Sequence, residues 1–141
     1  LVGQARELDD GPSLFRAQLL QAYTQPGLSR EERISLYYDA MAGAIASGTP
    51  DDVAMLWSEV LRARGGPDSS DLEFARAEKM ALAAAAHPDV TEATRAKVTY
   101  TRSRFYFERD RYEEAGRLQL EAAGVVVVAH NAALIFSTTS N

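Results

Sequence analysis

The sequence predicts an all-α protein built from antiparallel helix pairs. Apolar residues recur at helical spacing along most of the chain, and N-cap residues alternate with Gly and Pro stops. No Asn-Gly or Asp-Gly turn lies between alternating apolar runs, so no β-hairpin is expected. The predicted turns are roughly two to six residues long, which makes neighbouring helices antiparallel. The 141 residues are expected to form a single helical domain, 1–141.

The first two predicted helices cover residues 14–24 and about 29–47. Ser13 is placed to cap the first, and Pro26-Gly27 ends it, because proline lacks a backbone N–H and glycine tolerates the turn. The second begins at Ser29-Arg-Glu-Glu32, a capping box in which each side chain reaches the other residue's free backbone N–H. Small residues keep the second helix thin and allow a close neighbour: Ala40, Ala42, Gly43 and Ala44.

The third and fourth predicted helices are marked by equally clear signals. Thr49 suits an N-cap and Pro50 the first helical position, and Gly65-Gly66-Pro67 stops the third helix. Ser70-Asp-Leu-Glu73 is a second capping box, from which the fourth helix runs to about Ala86. The residues of the fourth helix that we expect to point inward are Phe74, Ala77, Ala81 and Leu82.

The last part of the chain is less regular. Asp89 with Glu92 is expected to open a fifth helix, which runs to about Arg109. Asp110 marks a short turn, and a sixth helix starts at about Tyr112. The expected helix pairs therefore cover about 29–64, 71–109 and 91–123, overlapping as a stack.

The sequence does not decide between several secondary structures for the tail, 125–141. Val125–Val128 is a β-branched run that prefers a strand. Alternatively, the sixth helix continues through this run, or Gly124 breaks it before a last helix at about Val126–Phe136.

The segment Phe105–Ala123 resembles a tetratricopeptide repeat. In that family an aromatic residue near the end of helix A precedes a short turn, a Tyr opens helix B, and small residues follow it at fixed spacing. The matching residues here are Tyr106, Tyr112, Ala115 and Ala122. A weaker second copy covers Tyr37–Leu61. The resemblance implies a right-handed superhelix in which small residues let helix B lie on helix A while the aromatics fill the groove between them. A generic, irregular helical bundle is the alternative.

The resemblance also implies a binding surface. Tyr38 and Tyr100 match the position of helix A that faces the concave groove of this family. Lys97, Arg104 and Glu108 would line the same face as Tyr100, one turn apart. These five residues are the predicted partner-binding residues, and a peptide or helix of a partner protein is the expected ligand.

Charge is distributed unevenly along the chain. The formal net charge is −5, which argues against nucleic-acid binding. Residues 95–117 nevertheless carry seven basic and four acidic side chains, a local balance of +3. One interpretation is that these basic side chains form a helix face exposed to water. The other is that they form a binding patch for an acidic partner.

The sequence contains no recognisable catalytic motif, and we expect the chain not to be an enzyme. There is no cysteine, and the two histidines, His87 and His130, are not spaced as metal ligands. Most paired carboxylates lie at helix starts, where the helix dipole explains them. No catalytic residue, metal site or cofactor is therefore predicted. No membrane span is expected either, and the compartment is left open.

Three hypotheses for function remain. The first is a protein–protein interaction or scaffolding module. The second is a structural or self-assembling segment of a larger helical-repeat protein, which would associate through the apolar stretch Val125–Phe136. The third is an accessory domain of an enzyme or a transcriptional regulator.

Overall fold

A computed structural model describes residues 11–124, with side chains from Leu14 onward. The described residues form six helices and no strand, which confirms the predicted all-α class. The predicted alternatives for the tail 125–141 lie outside the described residues. The helices are α1 (Gly11–Thr24), α2 (Arg30–Ser47), α3 (Pro50–Arg64), α4 (Asp71–Ala85), α5 (Glu92–Glu108) and α6 (112–124, where the description ends).

Local capping fixes the starts of α2, α3 and α4, as predicted. At α2 both halves of the capping box form, between Ser29 and Glu32. Thr49 caps α3 in the same reciprocal way with Asp52, and Pro50 occupies the first turn. At α4 only half of the predicted box is present, because Ser70 accepts the N–H of Glu73 without a return bond from the Glu73 side chain.

Two predicted helix starts were wrong. Helix α1 already includes Gly11, so Ser13 lies inside it and is not its N-cap. Pro12 explains this, since proline is tolerated in the first turn of a helix. Helix α5 is capped by Thr91, which accepts the N–H of Thr94, and not by Asp89. The backbone N–H of Asp89 instead donates to Nδ1 of His87 within the preceding turn.

The helices pack as a stack with α3 at its centre. Helix α1 packs along α2, and α3 packs against α2, α4 and α5. Asp51, in the first turn of α3, accepts hydrogen bonds from the backbone N–H and hydroxyl of Thr91, at 2.8 and 3.0 Å. Because Thr91 caps α5, this contact holds the starts of α3 and α5 side by side, and the two helices are parallel. The arrangement is compatible with a helical repeat.

The core consists of aromatic and aliphatic side chains from every described helix. Tyr37, Leu56, Leu61, Phe74 and Leu118 are among its most deeply buried members. Of the residues predicted to point inward from α4, Phe74, Ala77 and Ala81 are buried. Leu82 is 40% exposed, so its inward placement was wrong. The reason is its neighbour Ala81, which is fully buried and whose side chain already occupies the inward direction on this turn.

Helix α1 can approach α2 closely because residue 43 of α2 is a glycine. A Cβ atom added at Gly43 would lie 2.8 Å from Cβ of Phe15. Ala40, one turn before Gly43, and Ala44, the residue after it, are also buried. The predicted thinness of α2 is therefore confirmed on this face, where α1 crosses it.

The α5–α6 turn partly follows the predicted pattern of small and aromatic residues. Tyr106 and Ala115 are buried between packed helices, as the resemblance implies. Tyr112 is 58% exposed, and its expected place in the inter-helix groove was wrong. Its ring packs edge-on against the exposed ring of Phe107, and its hydroxyl donates to Asp110 at 2.7 Å, which holds the side chain at the surface. Asp110 itself has φ 58° and completes the tight turn.

Long side chains join α4 to α5. The guanidinium of Arg95 donates to the carbonyls of Ala85 and His87 at the end of α4, each at 2.9 Å. Arg102 and the hydroxyl of Tyr106 both donate to Glu78, at 2.9 and 2.8 Å. Much of the basic segment 95–117 is thus used to hold neighbouring helices together. None of the helices within residues 11–124 is both long and apolar enough to cross a membrane.

Candidate functional site

Four of the five predicted binding residues line one groove. The groove lies between the end of α1, the second half of α3 with the loop after it, and one face of α5, and it encloses about 660 Å³. We call it the basic groove. Its lining residues are Tyr23, Glu59, Arg62, Gly65, Gly66, Pro67, Lys97, Tyr100, Thr101, Arg104, Phe105 and Glu108.

Helix α5 supplies one wall of the basic groove. Lys97, Tyr100, Arg104 and Glu108 are spaced three or four residues apart, so they stand above one another on a single helix face. Tyr100 is 52% exposed, which agrees with its predicted place outside the core. The side chain of Arg104 is 62% exposed, and its nearest carboxylate is that of Glu108, at 3.8 Å. This wall therefore presents an aromatic ring and a nearly free guanidinium to solvent.

A buried carboxylate forms the floor of the basic groove. The side chain of Glu59 is only 3% exposed. Its two oxygens accept from Nζ of Lys97 and from the guanidinium of Arg62, each at 2.7 Å. Lys97 comes from α5 and Arg62 from the next turn of α3, so this single carboxylate joins the two helices at the base of the groove.

The surroundings of Glu59 keep it ionised. Burial opposes the charged form, but the hydrogen bond and positive charge of Lys97, together with Tyr23 and Arg62, lower the pKa of Glu59 below its usual 4.5. Burial, reinforced by the nearby Glu59 carboxylate, raises the pKa of Tyr23 well above its usual 10.0. Tyr23 therefore stays a neutral hydroxyl, and Glu59 stays an anion, throughout the physiological pH range.

The lining of the basic groove has a surplus of positive charge. Its cations are Arg62, Lys97 and Arg104, and its anions are Glu59 and Glu108. Because the side chain of Glu59 is almost fully buried and both of its oxygens are paired, it contributes little negative charge to the surface of the groove. The solvent-facing rim is therefore dominated by the more exposed guanidinium groups. An anionic group entering the groove would meet hydrogen-bond donors on both walls.

Tyr38, the fifth predicted residue, lies elsewhere. Its ring packs edge-on against Trp57 with 5.9 Å between ring centroids, in a cavity that also includes Arg76 and Met80. Trp57 and Glu59 are two positions apart on α3, and such residues point to nearly opposite sides of a helix. The structure thus separates Tyr38 from the four residues of α5 by the thickness of α3.

Sequence reasoning missed the floor of the basic groove. Tyr23, Glu59 and Arg62 were not among the predicted site residues, since the groove is assembled from three helices distant in sequence. One signal was present, however. Glu59 follows Leu56 by three residues and adjoins Val60, which places a carboxylate beside the apolar stripe of α3. A charge in that position is rarely buried unless it is paired.

Comparison with protein-family models, with curated proteins and with solved structures found no match for this chain. Among the described residues, no group of three or more His, Cys, Asp or Glu side chains is placed to hold a metal ion.

Proposed function

We propose that this chain is a non-catalytic protein–protein interaction module that takes an acidic segment of a partner protein into the basic groove. The observation that carries the proposal is the convergence of Lys97, Tyr100, Arg104 and Glu108 on one solvent-open groove whose charged lining is positive overall. Tyr and Arg are enriched among residues that dominate binding energy at protein interfaces. In this proposal Tyr100 supplies apolar contact, and Arg104 pairs with a carboxylate of the ligand.

The same proposal extends to the architecture. We infer a tetratricopeptide-like helix pair in α5 and α6, supported by the burial of Tyr106 and Ala115. The parallel packing of α3 and α5 supports a stack of alternating helices, in which α3 is equivalent to helix A of this pair, out of register with the weaker copy that places Tyr38 of α2 on helix A. Alternating helices in such a stack line a shared face, and α3 and α5 line the basic groove together. The scaffolding function then follows from a groove on a rigid stack of helices.

The test is selection of a partner peptide followed by substitution in the groove. A display library of random 12-residue peptides would be selected on the full chain, and the enriched peptides measured by fluorescence anisotropy. We expect acidic sequences whose affinity falls with added salt. Arg104→Glu and Tyr100→Ala should each weaken binding roughly tenfold, which corresponds to about 1.4 kcal/mol.

Lys79→Glu is the matched control for Arg104→Glu. Lys79 is exposed on α4 and does not line the basic groove, so the same charge reversal there should leave affinity unchanged. Unchanged binding by folded Arg104→Glu and Tyr100→Ala proteins would contradict the groove assignment. Enrichment of basic or uncharged peptides would contradict an acidic ligand.

A further inference from the structure

A second groove runs along the other side of α3. Helix α3 forms its floor, and α2 and α4 form its walls, because both pack against α3 but not against each other. Two cavities of about 280 and 340 Å³ follow one another along these three helices. We call this surface the apolar groove. The residues that line it and carry the argument are Tyr38, Ile45, Val53, Trp57, Arg76 and Met80.

The walls of the apolar groove expose large apolar side chains. Tyr38 is 44% exposed, Ile45 68% and Met80 47%. Val53 and Trp57 of the floor are partly buried against the core. An exposed apolar surface that is continuous along three helices is typical of an interaction site. Trp, Tyr and Met are also residue types enriched at protein interfaces.

The shape of the apolar groove favours a helix as the occupant. Its lining comes from helices whose backbone groups are bonded internally, so an extended peptide would find no edge strand to pair with. A helix satisfies its own backbone hydrogen bonds. Tyr38 and Ile45 are seven residues apart on α2, or about 10 Å along the axis at 1.5 Å per residue. This distance matches apolar anchors at positions i, i+4 and i+7 of a bound helix.

Charge at one end of the apolar groove indicates the polarity of the occupant. The end near Trp57 is lined by Arg64, Glu73 and Arg76. Arg64 already contacts Glu31 at 2.8 Å and Glu73 at 3.8 Å. Arg76 is exposed and forms no ion pair within residues 14–124. A carboxylate on the occupant would therefore complement Arg76, whereas the opposite end, near Ile45, is lined mainly by uncharged residues.

We propose that the apolar groove binds an amphipathic helix of a partner protein, with its apolar face on Tyr38, Ile45, Trp57 and Met80 and an acidic residue against Arg76. This site is separate from the basic groove and does not depend on the function proposed for it. The chain would then hold two partner segments on opposite sides of α3.

The test uses Trp57, the sole tryptophan of the chain, as a reporter. The probe is a display library of tryptophan-free 16-residue peptides with apolar residues fixed at i, i+4, i+7 and i+11. It would be selected on the full chain, after removal of binders to the Ile45→Glu variant. We expect enriched peptides to become helical when bound and to shift Trp57 emission to shorter wavelength. Met80→Lys, a variant that is not used in the selection, should weaken binding at least tenfold.

Charge exchange tests the orientation. Arg76→Glu should weaken peptides with an acidic end about fivefold, and replacing that acidic residue of the peptide by Lys should restore binding. Leu72→Glu is the control, because Leu72 is 60% exposed on α4 but does not line the groove. Arg104→Glu should also have no effect, which separates this proposal from the function of the basic groove.

Three results would overturn the proposal. One is that no helical peptide is enriched. Another is that enriched peptides lose affinity with Arg104→Glu but not with Met80→Lys, which would place them in the basic groove. The third is that the chain forms dimers that Ile45→Glu dissociates, measured by sedimentation, because a second copy would then be the occupant.

Discussion

Glu59 illustrates how one buried charge can organise a surface. Its carboxylate is held by Lys97 and Arg62, and its neighbour Tyr23 is kept neutral by burial and by the same negative charge. A buried negative charge therefore holds two of the cations that line the basic groove in place. If that charge were removed, Lys97 would lose the contact that fixes its ammonium group at the floor.

Glu59→Gln should lower the free energy of unfolding by about 1.5–3 kcal/mol at neutral pH, because the amide keeps one acceptor oxygen but its NH2 group cannot accept from the second cation, so one hydrogen bond to a charged group is lost. The pKa of Glu59 is lower in the folded chain than its usual 4.5. Its stabilising contribution is therefore complete above pH 4.5 and is lost as the pH falls through the folded-state pKa. The stability difference between wild type and Glu59→Gln should shrink below about pH 4.5.

Urea denaturation at several pH values would measure this difference. Glu121→Gln is the control, because the side chain of Glu121 is 55% exposed and its pairing with Arg117 is a surface contact. A constant difference between wild type and Glu59→Gln from pH 7 to pH 3 would show that the charge of Glu59 does not stabilise the fold.

At the scale of helices, contacts local in sequence could be predicted, and contacts between helices could not. The starts of α2 and α3 follow from a side chain and an N–H three residues apart, so Ser29 and Thr49 were sufficient signals. The Asp51–Thr91 contact joins residues forty positions apart, and nothing near Asp51 in sequence indicates it. The helix dipole is sufficient to explain a carboxylate at a helix start, but in the structure Asp51 also bonds to Thr91 and so joins α3 to α5.

The basic segment 95–117 gives a similar lesson about the candidate site. A charge count cannot distinguish an arginine that holds two helices together from one that faces a partner. Arg95 and Arg102 bond to α4, whereas Arg104 projects into the basic groove. The position of Arg104 relative to Tyr100 could be predicted from helical spacing alone, because both lie on one helix. The floor formed by Glu59 required knowledge of which helices pack together.

Close helix packing predicts opposite effects of the same substitution at two glycines. Ala has a higher helix propensity than Gly by about 1 kcal/mol. At Gly43, however, the new Cβ would lie 2.8 Å from Phe15, and overpacking of this kind costs about 1–3 kcal/mol. Gly43→Ala should therefore lower stability despite the higher helix propensity of Ala.

At Gly116 of α6 no described heavy atom lies within 4 Å of the added Cβ. Gly116→Ala should raise stability by about 0.5–1 kcal/mol.

Thermal and urea unfolding of the two single variants and the double variant would check this prediction. The two sites are on different helices with no shared partner, so their effects should add. Equal stabilisation by both substitutions would mean that α1 can move away from α2 at little cost, and that Gly43 is not required for their close approach.

At the scale of the whole molecule, α3 differs from the other helices. It packs against α2, α4 and α5, and it borders both the basic groove and the apolar groove. Helix α1, by contrast, packs chiefly along α2 at one end of the stack. In a stacked helical array, stability is divided between individual elements and their neighbours, so end helices open more easily than central ones.

Truncating one core side chain in α3 and one in α1 should distinguish unfolding of the whole molecule from local opening of α1. Leu61→Ala, in α3, removes a fully buried side chain and should destabilise the whole molecule by about 2–5 kcal/mol. Phe15→Ala, in α1, removes a side chain that is 3% exposed, and it should reduce protection from hydrogen exchange mainly in α1 and in the face of α2 that it covers.

Native-state hydrogen exchange followed by mass spectrometry would measure protection helix by helix. Amides of α3 should be the slowest to exchange in the wild type, and Leu61→Ala should accelerate exchange in α2, α4 and α5 together. If Phe15→Ala accelerated exchange in α5 as much as in α1, the chain would unfold as one cooperative unit. The basic groove and the apolar groove would then lose their shape in the same unfolding event, because α3 borders both of them.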